Sequence, residues 1–443
     1  MIRNALAFIK YYRSGKRRGG KQDRRTFERK LERLVVRHVS HVRERSAFYR
    51  DWWGSIPSDQ WRSFPPIDKT VMMAHFDTLN TAGITKSQAF AVAEAAEASR
   101  DFQPAIGRVT VGLSSGTSGN RGLFLVDAQE QAGWAGAVLG KLLPGSLLSR
   151  CSIAFFLRAN SNLYESVRSR RLSFQFYDLL EPLSDQIERI ERQQPDVIAG
   201  PPSLLRRLAE AVRSGKLNVK PRRVISVAEV LDPLDREFIG QTFGQIVHQI
   251  YQCTEGFLGC TCPHGTLHLN EDLVYIEKEY VPGKDRTFVP IVTDFSRKTQ
   301  PIVRYRLNDL LTESGRPCPC GSPFTAIERI EGRCDDIFIA TNSGGSSPGE
   351  EFVTIYPDFV TRAIIGASPA IAQYRAIQTG LDEWTIELEL PDDQRCMTED
   401  RVRTAIAALC GRLRCRTPIL AFSPYTHEAG VAKLRRVERR YKR

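Results

Sequence analysis

Apolar and polar positions alternate along this chain in three distinct ways. Between Phe27 and Tyr49, apolar side chains fall at Phe27, Leu31, Leu34, Val35, Val39 and Val42. That is the spacing of one helical face and predicts a packing helix. Pro57, Pro65 and Pro66 then break the chain into turns, and a second short helix is expected over Val71 to Leu79. From Asp127 onward, short β-branched and aromatic runs alternate with helical stretches. Strands are predicted at Ser152 to Leu157, Leu172 to Tyr177, Asp196 to Ala199, Arg223 to Val227 and Ile246 to Tyr251. Helices are predicted at Asp127 to Leu143, Ser184 to Gln193, Ser203 to Ser214 and Pro233 to Phe243. This rhythm argues for an α/β fold, a large N-terminal domain of parallel-rich sheets covered by helices, with ligands at the carboxyl ends of strands.

Beyond Asp336 the pattern changes. Residues 383–390 alternate like a half-exposed strand, Val402, Ala405, Ile406, Leu409 and Leu413 mark an amphipathic helix, and Pro418 to Phe422 reads as another strand. A small C-terminal α+β lid domain fits that segment, giving expected domains of 1–336 and 337–443.

Composition narrows the class. The chain has 443 residues, of which 42% are hydrophobic, enough for a large core and a second domain. Its formal charge is +12, yet much of the excess lies in Arg13 to Arg25 and Lys433 to Arg443. Such runs read as solvated tails, so nucleic acid is set aside as a minor partner. No apolar run approaches the roughly 18 to 20 residues that cross a bilayer, so no membrane partner is expected. The opening MIRNALAFIKYY is broken by Lys10 and carries no small-residue cleavage site. Ten cysteines, several in two tight clusters, suggest reduced thiols and a metal in a cytoplasmic setting rather than a disulfide framework.

The strongest chemical signal is SSGTSGNRG, Ser114 to Gly122, which follows the β-branched run at 108–112. Glycines let the backbone N–H groups turn inward around a phosphate, and the hydroxyls and Arg121 add donors. The candidate phosphate contacts are Ser114, Ser115, Gly116, Thr117, Ser118, Gly119 and Arg121. The loop lacks the G-K-[ST] ending of a Walker P-loop and is not G-x-G-x-x-G.

This loop resembles the phosphate loop of the adenylate-forming (acyl-CoA synthetase/ligase) superfamily, in the form found in the phenylacetate-CoA ligase branch. That branch also contains the synthetase that adenylylates the deazaflavin cofactor of methanogens, coenzyme F390 synthetase. The rest of the family's motifs follow in order over nearly the whole chain. Ser226-Val-Ala228-Glu229 resembles the segment that lies against adenine. Tyr251-Gln-Cys-Thr254-Glu255 resembles Y-G-x-T-E, with Gln252 in place of glycine. There the resemblance implies that Tyr251 lines the adenine pocket, Thr254 touches phosphate and Glu255 holds Mg2+. Arg304 to Asp309 is similar to R-Y-R-T-x-D, whose aspartate takes the ribose hydroxyls, and Gly332 to Asp336 is similar to G-R-x-D-D, which places Arg333 at the nucleotide and begins the interdomain hinge. Lys433-Leu-Arg-Arg-Val437 resembles K-x-x-R-V, whose lysine reaches the α-phosphate during adenylation.

The cysteines supply a second candidate site. Cys260, Cys262 and His264 precede Leu267-His-Leu, and Cys318 and Cys320 lie further on. Four thiolate or imidazole ligands make a closed zinc site. The chosen set is Cys262, His264, Cys318 and Cys320. Cys260 is an alternative ligand, and His268 ranks behind His264 because Leu267 and Leu269 suggest alternation on a strand. A closed Zn2+ site would be structural, and similar positions bind zinc in some members of the branch.

The resemblance implies ATP-dependent adenylation of a carboxylic acid, aryl or arylalkyl in this branch, with Lys433, Glu255 and Thr254 as catalytic groups. The acyl group then passes to a thiol of CoA or a carrier protein. Ala199 to Ser203 and Phe257 are candidate lining for the acid. One stretch departs from the pattern: a Gly/Ser-rich insert at 340–352 stands before Val353 to Pro357, where relatives carry the segment that guides the CoA thiol. Two rivals remain open at this point, AMP transfer to a hydroxyl and a zinc-stabilised, non-catalytic nucleotide- or nucleic-acid-binding protein.

Overall fold

The structure is a computed structural model that describes residues 2–18, 20, 22–99, 103–114, 121–157, 170–343, 351–427 and 433–442. They form two compact units. The first comprises Met1–Leu231, Asp235–Leu307 and Thr312–Arg329, and the second Asp232–Leu234, Asn308–Leu311 and Ile330–Arg443.

The first unit opens with the helix Ile2–Arg17, followed by Arg24–Arg45. Asp23 caps the second of these through its carboxylate on the Thr26 N–H, and the face carrying Phe27, Leu31, Val35, Val39 and Val42 is buried as its spacing requires. Each such side chain contributes about 1.5–3 kcal/mol of apolar transfer. A small antiparallel sheet follows, β1 (Ala105–Ile106), β2 (Val109–Leu113) and β3 (Leu123–Asp127). Asp127 ends β3 and starts the helix Ala128–Leu142 in a capping box with Glu130.

The main sheet begins with five parallel strands: β4 (Cys151–Leu157), β5 (Leu172–Asp178), β6 (Val197–Gly200), β7 (Arg223–Ser226) and β8 (Val247–Cys253). Between them run the helices Leu183–Gln193, Pro202–Arg213 and Pro233–Phe243. Every one of these elements lies where hydrophobic periodicity places it, with ends shifted by a residue or two. The large sheet continues antiparallel through β9 (Gly256–Thr261), β10 (Leu267–Leu269), β11 (Val274–Tyr280), β12 (Thr287–Asp294), β13 (Ile302–Arg306), β14 (Asp309–Glu313) and β15 (Ala326–Arg333). Its spatial order is β5, β4, β6, β7, β8, β9, β10, β15, β14, β12, β11, with β13 beside β12.

The second unit holds a two-stranded ribbon, β16 (Phe338–Thr341) with β17 (Phe352–Ile355), and a mixed four-stranded sheet. That sheet is built from β18 (Gln373–Gly380), β19 (Glu383–Glu389), β20 (Ile419–Pro424) and β21 (Val437–Arg439) in the order β20, β19, β18, β21. The helices Pro357–Ile365 and Arg395–Leu413 pack with it around Trp384, Tyr374, Ile386 and Ile406. The α/β architecture with a large parallel-rich sheet and a small C-terminal α+β unit is thus the one observed.

Neither basic run is a solvated tail. Arg13 to Arg17 belong to the first helix, Arg435 pairs with Asp336, and the buried Arg436 donates to the Tyr374 carbonyl at 3.0 Å. Among the described residues, no helix is long and apolar enough to cross a membrane.

Candidate functional site

Three motif segments converge at the carboxyl ends of the adjacent parallel strands β6, β7 and β8. Gly200 ends β6, Ser226 ends β7, and Cys253 ends β8. The Val227 N–H donates to the Gly200 carbonyl at 3.0 Å, tying the first two together. Ala228 follows in a left-handed conformation, φ +68°, a strained choice for a residue with a side chain. The Glu229 carboxylate accepts the Ser203 N–H at the start of the helix Pro202–Arg213, at 3.3 Å.

Thr254 and Glu255 make the turn between β8 and β9. The Glu255 carboxylate is buried and accepts from the Thr254 hydroxyl at 3.0 Å and from the Tyr305 phenol. Burial first, then the Glu255 charge, holds the Tyr305 hydroxyl well above the ordinary phenol range, so it is a firm donor. Arg297 braces the turn from behind, donating to the Thr254 carbonyl at 3.0 Å and the Leu125 carbonyl at 3.1 Å. Gly256 follows directly, and a Cβ there would lie 2.7 Å from the Asp294 carboxylate, so only glycine lets β9 pass. Burial raises the carboxyl of Asp294 to about 6 against the help of two Ser296 hydrogen bonds. Tyr251 lies buried one turn of the strand earlier.

The phosphate-loop motif connects β2 to β3 as a hairpin, so helix Ala128–Leu142 starts only after a second strand. Ser115 to Asn120, including the candidates Ser115, Gly116, Thr117, Ser118 and Gly119, lie outside the described residues. At the loop's base Ser114 N–H donates to the Gly122 carbonyl and its hydroxyl accepts the Gly122 N–H, both at 2.7 Å. Lys69 adds its ammonium 3.4 Å from the same hydroxyl. The segment before Lys69 is held by β13: the Ile67 N–H donates to the Arg304 carbonyl and the Arg306 N–H to the Ile67 carbonyl. Lys69 was not among the residues singled out from the sequence, since a lysine at the start of a short helix carries no local signal of its own. Arg121, just after the loop, pairs with Glu97 in two bonds of 2.6 and 2.9 Å.

The remaining nucleotide candidates belong to the second unit. Asp309 opens β14, Arg333 closes β15, and the Cys334 N–H donates to the Asn308 carbonyl at 3.1 Å, holding those two segments together. Lys433 is part-buried, four residues before Val437 opens β21.

The cysteine clusters meet, with one ligand different from the expected set. Cys262, His268, Cys318 and Cys320 present ligand atoms all within 4.8 Å of one another. The Cys262 and Cys318 sulfurs are 3.6 Å apart, and Cys320 sulfur lies 3.4 Å from His268 Nε2. A tetrahedral ion with metal–sulfur bonds near 2.3 Å requires sulfurs about 3.8 Å apart, so the donor set and its spacing fit zinc. His268 Nδ1 faces the Phe324 carbonyl at 3.0 Å, which fixes the ring and leaves Nε2 for the metal. His264 is exposed in the turn closed by the Gly265 N–H on the Cys262 carbonyl, and stands outside the group. The correction has a simple cause. Strand β10 is covered on both faces, so alternation does not turn His268 to solvent but aims it at the loop carrying Cys318 and Cys320. Cys260 is no substitute ligand here; it is fully buried and donates to Asn270 Oδ1 at 3.5 Å.

No protein-family model matches the chain, and no curated protein matches it in sequence. Solved structures do match in fold. A 2-hydroxyisobutyryl-CoA ligase in the postadenylation state, in complex with 2-HIB-AMP, aligns with a TM-score of 0.69 at 19% identity, over 96% of this chain and 92% of that one. The amide bond synthetase McbA from Marinactinospora thermotolerans gives 0.52 at 14% identity, over 73% and 67%. An anthranilate CoA ligase, AuaEII, in complex with anthranoyl-AMP gives 0.50 at 13%, over 73% and 65%. The chain therefore has the fold of the adenylate-forming acyl-CoA ligases.

Proposed function

We propose that this protein activates a carboxylic acid: the acid's carboxylate attacks the α-phosphorus of ATP, giving an acyl-AMP and pyrophosphate, and the acyl group then passes to a thiol of CoA or a carrier protein. The observation that carries this reading is the convergence of Gly200, Ala228 and Tyr251 to Glu255 at three neighbouring strand ends, in a fold shared with ligases solved as acyl-adenylate complexes. A carboxylate is already a nucleophile at neutral pH, so the reaction needs placement and charge stabilisation rather than a general base.

In this reading Tyr251 and Ala228 bound the adenine, and Ser114 anchors the loop whose N–H groups receive the leaving phosphates. Glu255, held by Thr254 and Tyr305, is a buried oxygen ligand suited to Mg2+. Mg2+, when bound, supplies neutralisation of phosphate charge. Thr254 stands beside it as a phosphate donor. Asp309 is assigned the ribose hydroxyls, Arg333 a nucleotide contact and Lys433 the charge at the α-phosphate; these three assignments rest on the motifs that carry them. Cys262, His268, Cys318 and Cys320 would hold a structural Zn2+, which when bound cross-links the turn after β9 to the loop before β15. The acid is proposed to be aryl or arylalkyl, from the resemblance to phenylacetate-CoA ligases.

The test is trapping. Purified protein with Mg-ATP, hydroxylamine and a panel of aryl, arylalkyl, short hydroxy and fatty acids should yield a hydroxamate with one acid class. AMP ester formation on a hydroxyl compound, with no hydroxamate from any acid, would overturn the proposal.

A further inference from the structure

The helix Ile2–Arg17 is tightly docked on one side and bare on the other. Its inner side lies against the helix Ala128–Leu142 at backbone distance. A Cβ at Gly136 would sit 2.3 Å from the Phe8 carbonyl oxygen, and one at Gly140 would sit 2.5 Å from that of Tyr12. Ala7 and Gly15 are buried in this seam. The end of the helix is clamped as well: Ser14 donates to Asp272 at 3.0 Å, and Arg18 to the carbonyls of Thr261 and Lys141 at 3.1 and 2.6 Å. The helix cannot roll without breaking these contacts.

What it shows to the outside is fixed by the same geometry. With a rotation of about 100° per residue, Ile2, Leu6, Ile9, Arg13, Lys16 and Arg17 share one stripe. Ile2 is 78% exposed, Leu6 62% and Ile9 44%. The first half of the stripe is therefore apolar and bare, and the second half is cationic. Arg3 and Lys10 flank it, and no acidic residue occurs before Asp23. Near the helix's C-terminal end Lys16 reaches the Gly145 carbonyl, and the loop beyond carries Leu148, 76% exposed, with Arg171 bonded to its carbonyl.

We propose that this face of the first unit docks on an anionic lipid surface. Apolar side chains on an otherwise cationic, acid-free helix enter the boundary of headgroups and acyl chains while the cations meet lipid phosphates. Charge complementarity selects this occupant over a second copy of the chain, which would bring one acid-free cationic stripe against another. Attachment is peripheral, since no described helix can cross a membrane. The inference is independent of which acid is activated.

The experiment is flotation of the purified full chain with vesicles of phosphatidylcholine alone and of phosphatidylcholine with about a third phosphatidylglycerol. Binding is expected only to the anionic vesicles and should weaken steeply with salt. Leu6→Asp with Ile9→Asp should abolish it. Arg13→Glu with Arg17→Glu, which leaves the apolar stripe intact, should weaken it by about fivefold or more for each cation removed. Leu6→Trp should be quenched by brominated acyl chains beyond the quenching of the parent protein. No binding to anionic vesicles at low salt, binding undiminished in both double variants, or a concentration-dependent dimer that Leu6→Asp dissolves would each overturn the proposal.

Discussion

Replacing Cys318 and Cys320 together by serine removes one whole arm of the proposed metal cross-link and leaves Cys262 and His268 on the other. Cys262 and Cys318 are separated by 56 positions. Closing a loop of that length in the unfolded chain costs about 4 kcal/mol of configurational entropy, taking the usual dependence on the logarithm of loop length. The first unit holds roughly 320 residues. At about 2.1 cal/mol/K per residue its unfolding entropy converts that loss into a fall in Tm of about 6 °C. The assay is scanning calorimetry of the parent and the double variant, with zinc content measured on both and a chelator added to the parent. The parent should carry one equivalent of zinc, and chelator should bring its Tm down toward that of the variant. A metal-free parent, or a variant that melts at the parental temperature, would refute the cross-link.

Gly136→Ala drives a methyl group into the Phe8 carbonyl and should undock the N-terminal helix at a cost of about 1–3 kcal/mol, read as new proteolytic cleavage between Arg13 and Arg24. Asp294 has a folded pKa near 6, above its unfolded value, so its contribution is fully present below about pH 4 and is lost as pH rises through 6. Asp294→Asn should therefore gain stability relative to the parent by about 3 kcal/mol between pH 4 and pH 8, measured as urea midpoints at both ends. Lys433→Ala should abolish adenylation while leaving ATP affinity nearly unchanged, checked by calorimetric titration beside the activity assay.

The parallel half of the main sheet was legible because buried strands and amphipathic helices have different periods, and five strands and four helices stand there in clean alternation. The motif residues were legible for a different reason. Glycines, hydroxyls and carboxylates stand where strands end, and those residues interrupt the hydrophobic pattern visibly. The N-terminal helix was not legible as a docked element. Its seam is built from Ala7, Gly15, Gly136 and Gly140, small residues that hydropathy does not mark, and the Ile2, Leu6 and Ile9 that hydropathy does mark face outward. His268 was passed over because period-two alternation says which side a residue takes, but not that both sides of β10 are covered. Arg121 shows a further limit: its partner Glu97 lies 24 positions earlier, on another element, and no local pattern links them.

The most direct test is ATP–pyrophosphate exchange, without any thiol, in the parent protein and in Glu255→Gln. Exchange in the parent that depends on one class of carboxylic acid, and falls by at least about a hundredfold in the variant, is the predicted result. No exchange with any acid, in a protein that still binds ATP, would contradict the account.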